Sequence, residues 1–127
     1  MKRDIQLAVT SLLSILLLSF HLTQDALREK PGSFPAGPGN LVVILILLVY
    51  LIGTVLLAGR RSGYVIMFLG ALFAAGMPVL HLTAPRFGLT PRPFAHFFMW
   101  TLIALGVTGA FGMILAARDL WRFKRTD

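Results

Sequence analysis

The chain has 127 residues, 57% of them hydrophobic and 13% charged, with a mean hydropathy of +0.80, which excludes a soluble domain that must cover its surface with polar groups. It contains no cysteine, which excludes disulfides, thiolate metal sites and the thiol chemistry of membrane disulfide-forming enzymes. The formal charge of +7 comes from basic residues at the ends of apolar segments, so it indicates membrane topology and not nucleic-acid binding.

Four apolar segments follow one another, each close to the roughly 20 residues that a helix needs to cross a hydrocarbon core of about 30 Å. We expect spans at residues 5–23, 41–59, 64–82 and 94–117, followed by a short basic cytoplasmic tail at 118–127. No Asp, Glu, Lys or Arg lies inside any segment, as the cost of burying a charge in lipid requires. The sequence therefore predicts one all-α domain over residues 1–127, an integral membrane four-helix bundle with antiparallel, up-and-down topology.

The first segment follows the basic start Met1-Lys2-Arg3 and therefore also has the outline of a secretory signal peptide. A signal peptidase requires small residues at its cleavage site, and residues 19–21 and 24–26 do not offer that pattern. We therefore expect this segment to remain in the protein as the first span.

The distribution of Lys and Arg predicts the orientation, because cytoplasmic loops carry the excess of these residues. One side of the predicted bundle carries eight of them: Lys2, Arg3, Arg60, Arg61, Arg118, Arg122, Lys124 and Arg125. The other side carries four: Arg28, Lys30, Arg86 and Arg92. Both termini and the turn at 59–63 are thus predicted to face the cytoplasm, with Trp121 and Phe123 anchoring the tail at headgroup level.

Polar or small residues at helical spacing predict the faces that look into the bundle. On the first span, this face comprises Gln6, Thr10, Ser14, His21, Gln24 and Asp25. On the third, it comprises Gly63, Met67, Gly70, Ala74, Met77 and His81. On the fourth, Trp100, Ile103, Val107, Ala110 and Ile114 share the stripe of His96, while Gly109 and Gly112 fall on the opposite side, so this span is expected to pack on two neighbours. The second span offers no catalytic group and is interpreted as scaffold.

The three histidines are predicted to lie at the outer ends of three different spans, and they form the one constellation suited to chemistry. His21 ends the first span, His81 ends the third and His96 opens the fourth, while Asp25 follows His21 by one turn on the same face. If these spans are mutual neighbours, His21, Asp25, His81 and His96 converge into a metal site. Three imidazoles and a carboxylate suit zinc or copper.

Other interpretations of this constellation stay open. Histidine is an amphipathic side chain that is well tolerated at a membrane interface. The three residues are therefore also compatible with hydrogen-bonded packing between helices. The His21 and Asp25 pair suits general acid-base or proton chemistry, because histidine titrates near neutrality. Two histidines on the third and fourth spans also suit the axial ligation of a heme, which ranks below a simple metal site because the outer loops are thin.

Residues 20–25, 59–64, 78–81 and 98–108 resemble those of a group of small four-span bacterial membrane proteins, and the similarity covers most of the chain. The resemblance implies a four-span architecture in a bacterial inner membrane and no particular activity. Small multidrug exporters are similar only in outline, since their mechanism relies on a membrane-embedded Glu in the first span, and this chain has no acidic residue there before Asp25.

Two functional hypotheses follow from the sequence. In the first, the bundle is a binding protein or an enzyme whose site lies on the periplasmic face. In the second, it is a structural or accessory subunit of a larger membrane complex or a homo-oligomer, and it presents Gly and Ala surfaces to its partner. The lipid bilayer is the expected environment in both cases, and nucleic acid is not an expected partner.

Overall fold

A computed structural model shows four α-helices, α1 (Lys2–Arg28), α2 (Pro38–Val55), α3 (Arg61–Thr83) and α4 (His96–Phe123). It describes the backbone of residues 2–28, 38–83 and 96–123, and the side chains of residues 5–24, 41–83 and 99–122. The all-helical fold class is confirmed. Within the described residues, α1, α3 and α4 are long and apolar enough to cross a membrane, whereas the apolar part of α2, Leu41–Val55, is shorter.

The helices begin and end at other residues than the predicted spans, and two of these differences concern the inner end of the bundle. The second helix ends at Val55 and not at residue 59, because the N–H of Leu57 donates to the carbonyl of Ile52, five residues back, at 3.1 Å. Gly59 then adopts φ +76°, a left-handed conformation that reverses the chain at little cost only for glycine. At the other boundary, α4 continues to Phe123, so residues 118–123, which were predicted as tail, are helical.

The helices pack in chain order around the bundle. The most extensive contact joins α3 and α4, α1 touches the other three helices, and α2 touches α1 and α3 but not α4 in the described part of the chain. Leu7 of α1 packs with Met67 of α3, and Leu18 packs with Met77, so α1 and α3 run parallel. We call the end of the bundle that holds the last residues of α1 and α3 the outer end.

The buried residues of three helices alternate in steps of three and four, the repeat of left-handed helix packing. On α1 they include Leu7, Ser11, Ser14, Leu18 and His21. On α3 they are Gly63, Tyr64, Met67, Gly70, Ala71, Ala74 and Met77. On α4 they include Leu102, Leu105, Gly109, Gly112, Ala116 and Asp119. The predicted inward face of the third span is therefore confirmed for every described member except His81, which is partly buried.

On the fourth span, the prediction of two packed faces is wrong for the stripe of His96 and right for the glycine face, and on the first span the predicted inward face is partly wrong. On α4, Trp100, Ile103, Val107 and Ile114 are exposed, whereas Gly109 on the opposite side is buried. Glycine marks the packed face because it lets two backbones approach, and bulky side chains are left outside. On α1, Thr10, Ser14 and His21 are buried as predicted, but Gln6 is exposed and Ser11 is buried.

The contact between α3 and α4 brings the two backbones together at Gly109. A Cβ at this position would lie 2.8 Å from the carbonyl oxygen of Ala71 and 2.9 Å from the carbonyl carbon of Ala74. One turn away, a Cβ at Gly106 would lie 2.8 Å from the ring of Pro78. Only glycine permits this spacing, which fixes α3 firmly against α4.

The molecule carries its large apolar side chains outside and several polar side chains inside. Exposed residues include Ile5 and Phe20 of α1, Leu45 of α2, Leu69 of α3, and Trp100 and Trp121 of α4, which are 70% and 67% exposed. Among the side chains that the structure describes, the buried polar ones are Thr10, Ser11, Ser14, His21, Thr54, Thr101 and Asp119. A monomeric soluble protein rarely exposes so continuous an apolar surface.

Candidate functional site

The two described histidines lie in contact with each other across two helices. His21 of α1 is fully buried, at 0% exposure, and His81 of α3 is partly buried. Their ring centres are 4.8 Å apart and the ring planes meet at 80°. Each residue lies near the outer end of its helix, and because α1 and α3 are parallel the two rings meet at the same depth. We call these two residues the histidine pair.

The orientation of the His81 ring follows from a hydrogen bond to its own helix. Its Nδ1 lies 3.0 Å from the backbone carbonyl oxygen of Met77, one turn earlier. A carbonyl oxygen only accepts, so Nδ1 carries the proton in this contact. In the neutral ring, Nε2 therefore carries the lone pair, and the bond to Met77 holds the ring in this tautomer.

An apolar layer closes the bundle on the inner side of the histidine pair. It consists of Leu18, Ala74, Met77 and Leu105. Leu18 precedes His21 by about one helical turn and Met77 precedes His81 by one, so this layer separates the pair from the middle of the bundle.

A polar contact lies beyond the histidine pair, nearer the outer surface. The hydroxyl of Thr101 donates to Oε1 of Gln24 at 3.3 Å, which links α4 to α1 about one turn past His21. Each of the helices α1, α3 and α4 contacts the other two, as the predicted site requires.

Deeper in the bundle, three hydroxyl groups that the sequence analysis did not single out as a group lie together. Tyr50 of α2 is 1% exposed, and its hydroxyl approaches those of Ser11 and Ser14 of α1. Among the described residues, none of the three hydroxyls has a hydrogen bond of good geometry. The second span, interpreted as largely scaffold, thus also contributes one buried polar group to the interior. The feature of the sequence that could have indicated this is Tyr50, the single aromatic residue of that span, which lies opposite Gly70.

A buried acid at the inner end of α4 was also missed. Asp119 is nearly enclosed, and its Oδ1 lies 3.4 Å from Nε of the adjacent Arg118. The sequence analysis assigned both residues to a surface tail, whereas the helix continues and turns Asp119 inward. The spacing of Asp119 from Gly112 and Ala116, in steps of four and three, is the signal that places it on the buried face.

Of the four predicted site residues, the structure brings His21 and His81 together. The side chains of Asp25 and His96 lie outside the described residues, and their convergence with the histidine pair stays a prediction. Within the described residues, no group of three or more His, Cys, Asp or Glu side chains is arranged to hold a metal ion. A metal or heme at this site is likewise a prediction.

Comparison of the chain with protein-family models, with curated proteins and with solved structures finds no match. The resemblance to four-span bacterial membrane proteins therefore stays an expectation from the sequence, and function has to be argued from the geometry of the histidine pair.

Proposed function

We propose that this protein is an integral membrane protein of four spans, with both termini in the cytoplasm of a bacterial cell, and that it binds a transition-metal ion between His21 and His81 at the periplasmic face. The apolar exterior and the buried polar groups support insertion into lipid. With 18 residues, α2 is about 27 Å long, close to the roughly 30 Å of a hydrocarbon core. The uneven distribution of Lys and Arg supports the orientation.

The contact between the two imidazole rings is the observation that carries the metal proposal. Two histidines bound to one tetrahedral ion at about 2.0 to 2.1 Å have ring centres about 5 Å apart. The ring centres of His21 and His81 are 4.8 Å apart, which matches that spacing. The rings meet edge to face at 80°, so each side chain has to rotate about its own bonds to turn a nitrogen toward a shared ion.

The hydrogen bond of His81 supports the same proposal. Histidines that bind metals almost always donate their other ring N–H to a carbonyl or carboxylate, which orients the ring and raises its basicity. His81 makes this bond from Nδ1 to the Met77 carbonyl. Its Nε2 is then the nitrogen that binds the ion.

The accessory-subunit hypothesis has less support in the packing. It relies on Gly and Ala surfaces offered to a partner, whereas Gly106 and Gly109 of α4 are already packed on α3. The same contact fixes α3 and thereby His81. We therefore favour the hypothesis in which the bundle carries its own site.

Metal content of the purified full chain tests this function. We expect near-stoichiometric copper or zinc in detergent-purified protein by mass spectrometry. We expect His81→Gln and His21→Asn to reduce metal affinity by at least about tenfold. Saturating metal should also raise the thermal midpoint of the wild type, since binding to the folded state at 100 times the Kd adds about 2.7 kcal/mol.

Thr83→Ala is the matched control, because Thr83 is a polar side chain at the same end of α3 whose hydroxyl bonds only to its own helix carbonyls in the described contacts. His96→Ala and Asp25→Ala report whether these residues join the site. Wild-type protein without metal, or a His81→Gln variant that binds as well as the wild type, would overturn the proposal.

A further inference from the structure

We infer that a groove between α2 and α3 binds one hydrocarbon chain of a lipid from the outer leaflet. This inference rests on the membrane insertion proposed above and is independent of the metal site. The groove has a volume of about 450 Å³. Its walls include Val42, Leu45 and Val49 of α2 and Ile66, Leu69 and Phe73 of α3.

The groove is held open by contacts between the two helices. Its floor is the ring of Tyr50 packed on Gly70, which sets the spacing of α2 and α3. Ile66 is the wall residue of α3 nearest the inner end, and a Cβ at Gly53 would lie 2.7 Å from Cβ of Ile66, so the two helices touch there. The groove therefore ends at this contact and is formed before a ligand binds, which removes the cost of rearranging the helices.

The surface of the groove suits a hydrocarbon. The lining residues carry no charge and expose almost no polar surface. Tyr50 has the one polar side-chain group among them, and its hydroxyl is buried beside Ser11 and Ser14 of α1, away from the groove. Specific recognition of a polar ligand requires placed hydrogen-bonding or charged groups. The groove therefore recognises a lipid chain and not a headgroup.

The dimensions of the groove favour a lipid chain over a helix of a second copy. Its α2 wall runs from Val42 to Val49, about 10.5 Å along the helix. The volume spread over this length gives a mean cross-section of about 40 Å², whereas a helix about 10 to 12 Å across occupies about 80 to 110 Å². The groove also presents far less surface than the about 800 Å² that each partner buries in a stable protein interface.

The position of the groove along the bundle selects the outer leaflet. The helix α2 begins at the outer end, and Val42 and Val49 lie about 6 and 17 Å along it from Pro38. Each leaflet contributes about 15 Å to the hydrocarbon core. A chain of an outer-leaflet lipid that runs parallel to α2 therefore reaches the closed end of the groove.

Native mass spectrometry of the full chain tests this inference, after reconstitution into vesicles of phosphatidylethanolamine and phosphatidylglycerol and extraction into detergent. We expect the wild type to retain one phospholipid per chain. Val49→Trp places an indole ring in the groove and should weaken retention by at least about tenfold, because excluding two methylene groups is enough for this loss. Leu48→Trp is the matched control: Leu48 and Val49 are adjacent and both 50% exposed, but Leu48 does not line the groove.

A second pair of variants on α3 makes the test independent of how α2 tolerates a tryptophan. Leu69→Trp alters the opposite wall and should also weaken retention, whereas Leu72→Trp, at an exposed position outside the groove, should not. Thermal midpoints close to that of the wild type show that the fold is kept in each variant.

The outcomes separate this inference from the proposed insertion. If the wild type retains no phospholipid, or both groove variants retain it as well as their controls do, the lipid site is overturned and insertion stands. If the wild type is a dimer that only the groove variants dissociate, a second copy fills the groove and the lipid is overturned as its ligand. If alkaline carbonate releases the chain from membranes, the proposed insertion fails together with this inference.

Discussion

Tyr50 joins three helices through a single side chain. Its ring lies flat against Gly70 of α3, and its hydroxyl reaches Ser11 and Ser14 of α1, although the residue itself belongs to α2. A large side chain is accommodated here because Gly70 has none. The interior of the bundle is therefore specified by one large and one small residue that complement each other across the helix interface.

Gly70→Ala tests this complementarity. The added Cβ would lie 2.6 Å from Cδ1 of Tyr50, so the ring has to move, and we expect the free energy of unfolding to fall by about 1 to 3 kcal/mol. The measurement is thermal or SDS-induced unfolding in detergent. Gly76→Ala on the same helix is the control: a Cβ there meets nothing within 4 Å, and we expect no loss of stability. Equal loss in both variants would show that the contact with Tyr50 does not limit the packing.

Individual residues differed in how far the sequence could predict them. His21 and His81 were predictable as neighbours, because each ends an apolar segment of the same direction and therefore lies at the same depth. The contact of Tyr50 with Ser11 and Ser14 was not, because it depends on the rotation of α2 about its own axis. In a segment of almost pure Leu, Ile and Val, few residues indicate that rotation.

At the scale of elements, α4 shows what periodicity can and cannot predict. Two stripes on this helix repeat in steps of three and four, one bearing Trp100, Ile103 and Val107 and the other bearing Gly109 and Gly112. The repeat alone does not say which stripe is buried. In a soluble bundle the bulky apolar stripe would face the core, whereas here the small one does. This is the arrangement expected where lipid solvates large side chains and close contact between helices requires small ones.

Gly109→Ala tests the contact between α3 and α4. A methyl group at this position meets the backbone of Ala71 and Ala74, which cannot rotate away, so the two helices have to separate. We expect a loss of about 1 to 3 kcal/mol or more in the free energy of unfolding. Gly112→Ala should cost less, because its nearest neighbours are side-chain atoms, Cβ of Ala71 at 3.3 Å and Cγ2 of Thr10 at 3.5 Å. The reverse order of the two effects would contradict the packing described for α4.

At the scale of the whole molecule, the four helices are joined into one bundle whose two ends differ in chemistry. The outer end holds the histidine pair and the contact of Gln24 with Thr101, whereas the inner end holds Arg60 and Arg61 between α2 and α3 and Arg118 and Asp119 on α4. Under the proposed membrane insertion, the direction of the bundle decides which compartment the histidine pair faces.

Reporter fusions test that direction. We expect a reporter that is active only in the periplasm to be active when fused at Phe34, and silent when fused at Arg61 or Asp127, because the side of the bundle with eight Lys and Arg residues is predicted to face the cytoplasm. A cytoplasm-specific reporter at the same positions is the control and should give the opposite pattern. Activity of the periplasmic reporter at Asp127 together with silence at Phe34 would invert the assignment and move the histidine pair to the cytoplasmic face.

Under the proposed membrane insertion, the two exposed tryptophans of α4 set the bilayer thickness that suits this protein. Trp100 and Trp121 are 21 residues apart in the chain, which is about 31 Å along a straight helix. Indole rings prefer the headgroup region. When the hydrocarbon core is about 30 Å thick, one tryptophan ring can lie in the headgroup region of each leaflet. In a thinner bilayer, α4 would be longer than the hydrocarbon core and would tilt. The α3 helix would tilt with it, because the two backbones are in contact at Gly109. Hydrophobic mismatch would therefore change the inclination of the rigid α3 and α4 pair as a unit and leave the geometry around His81 intact.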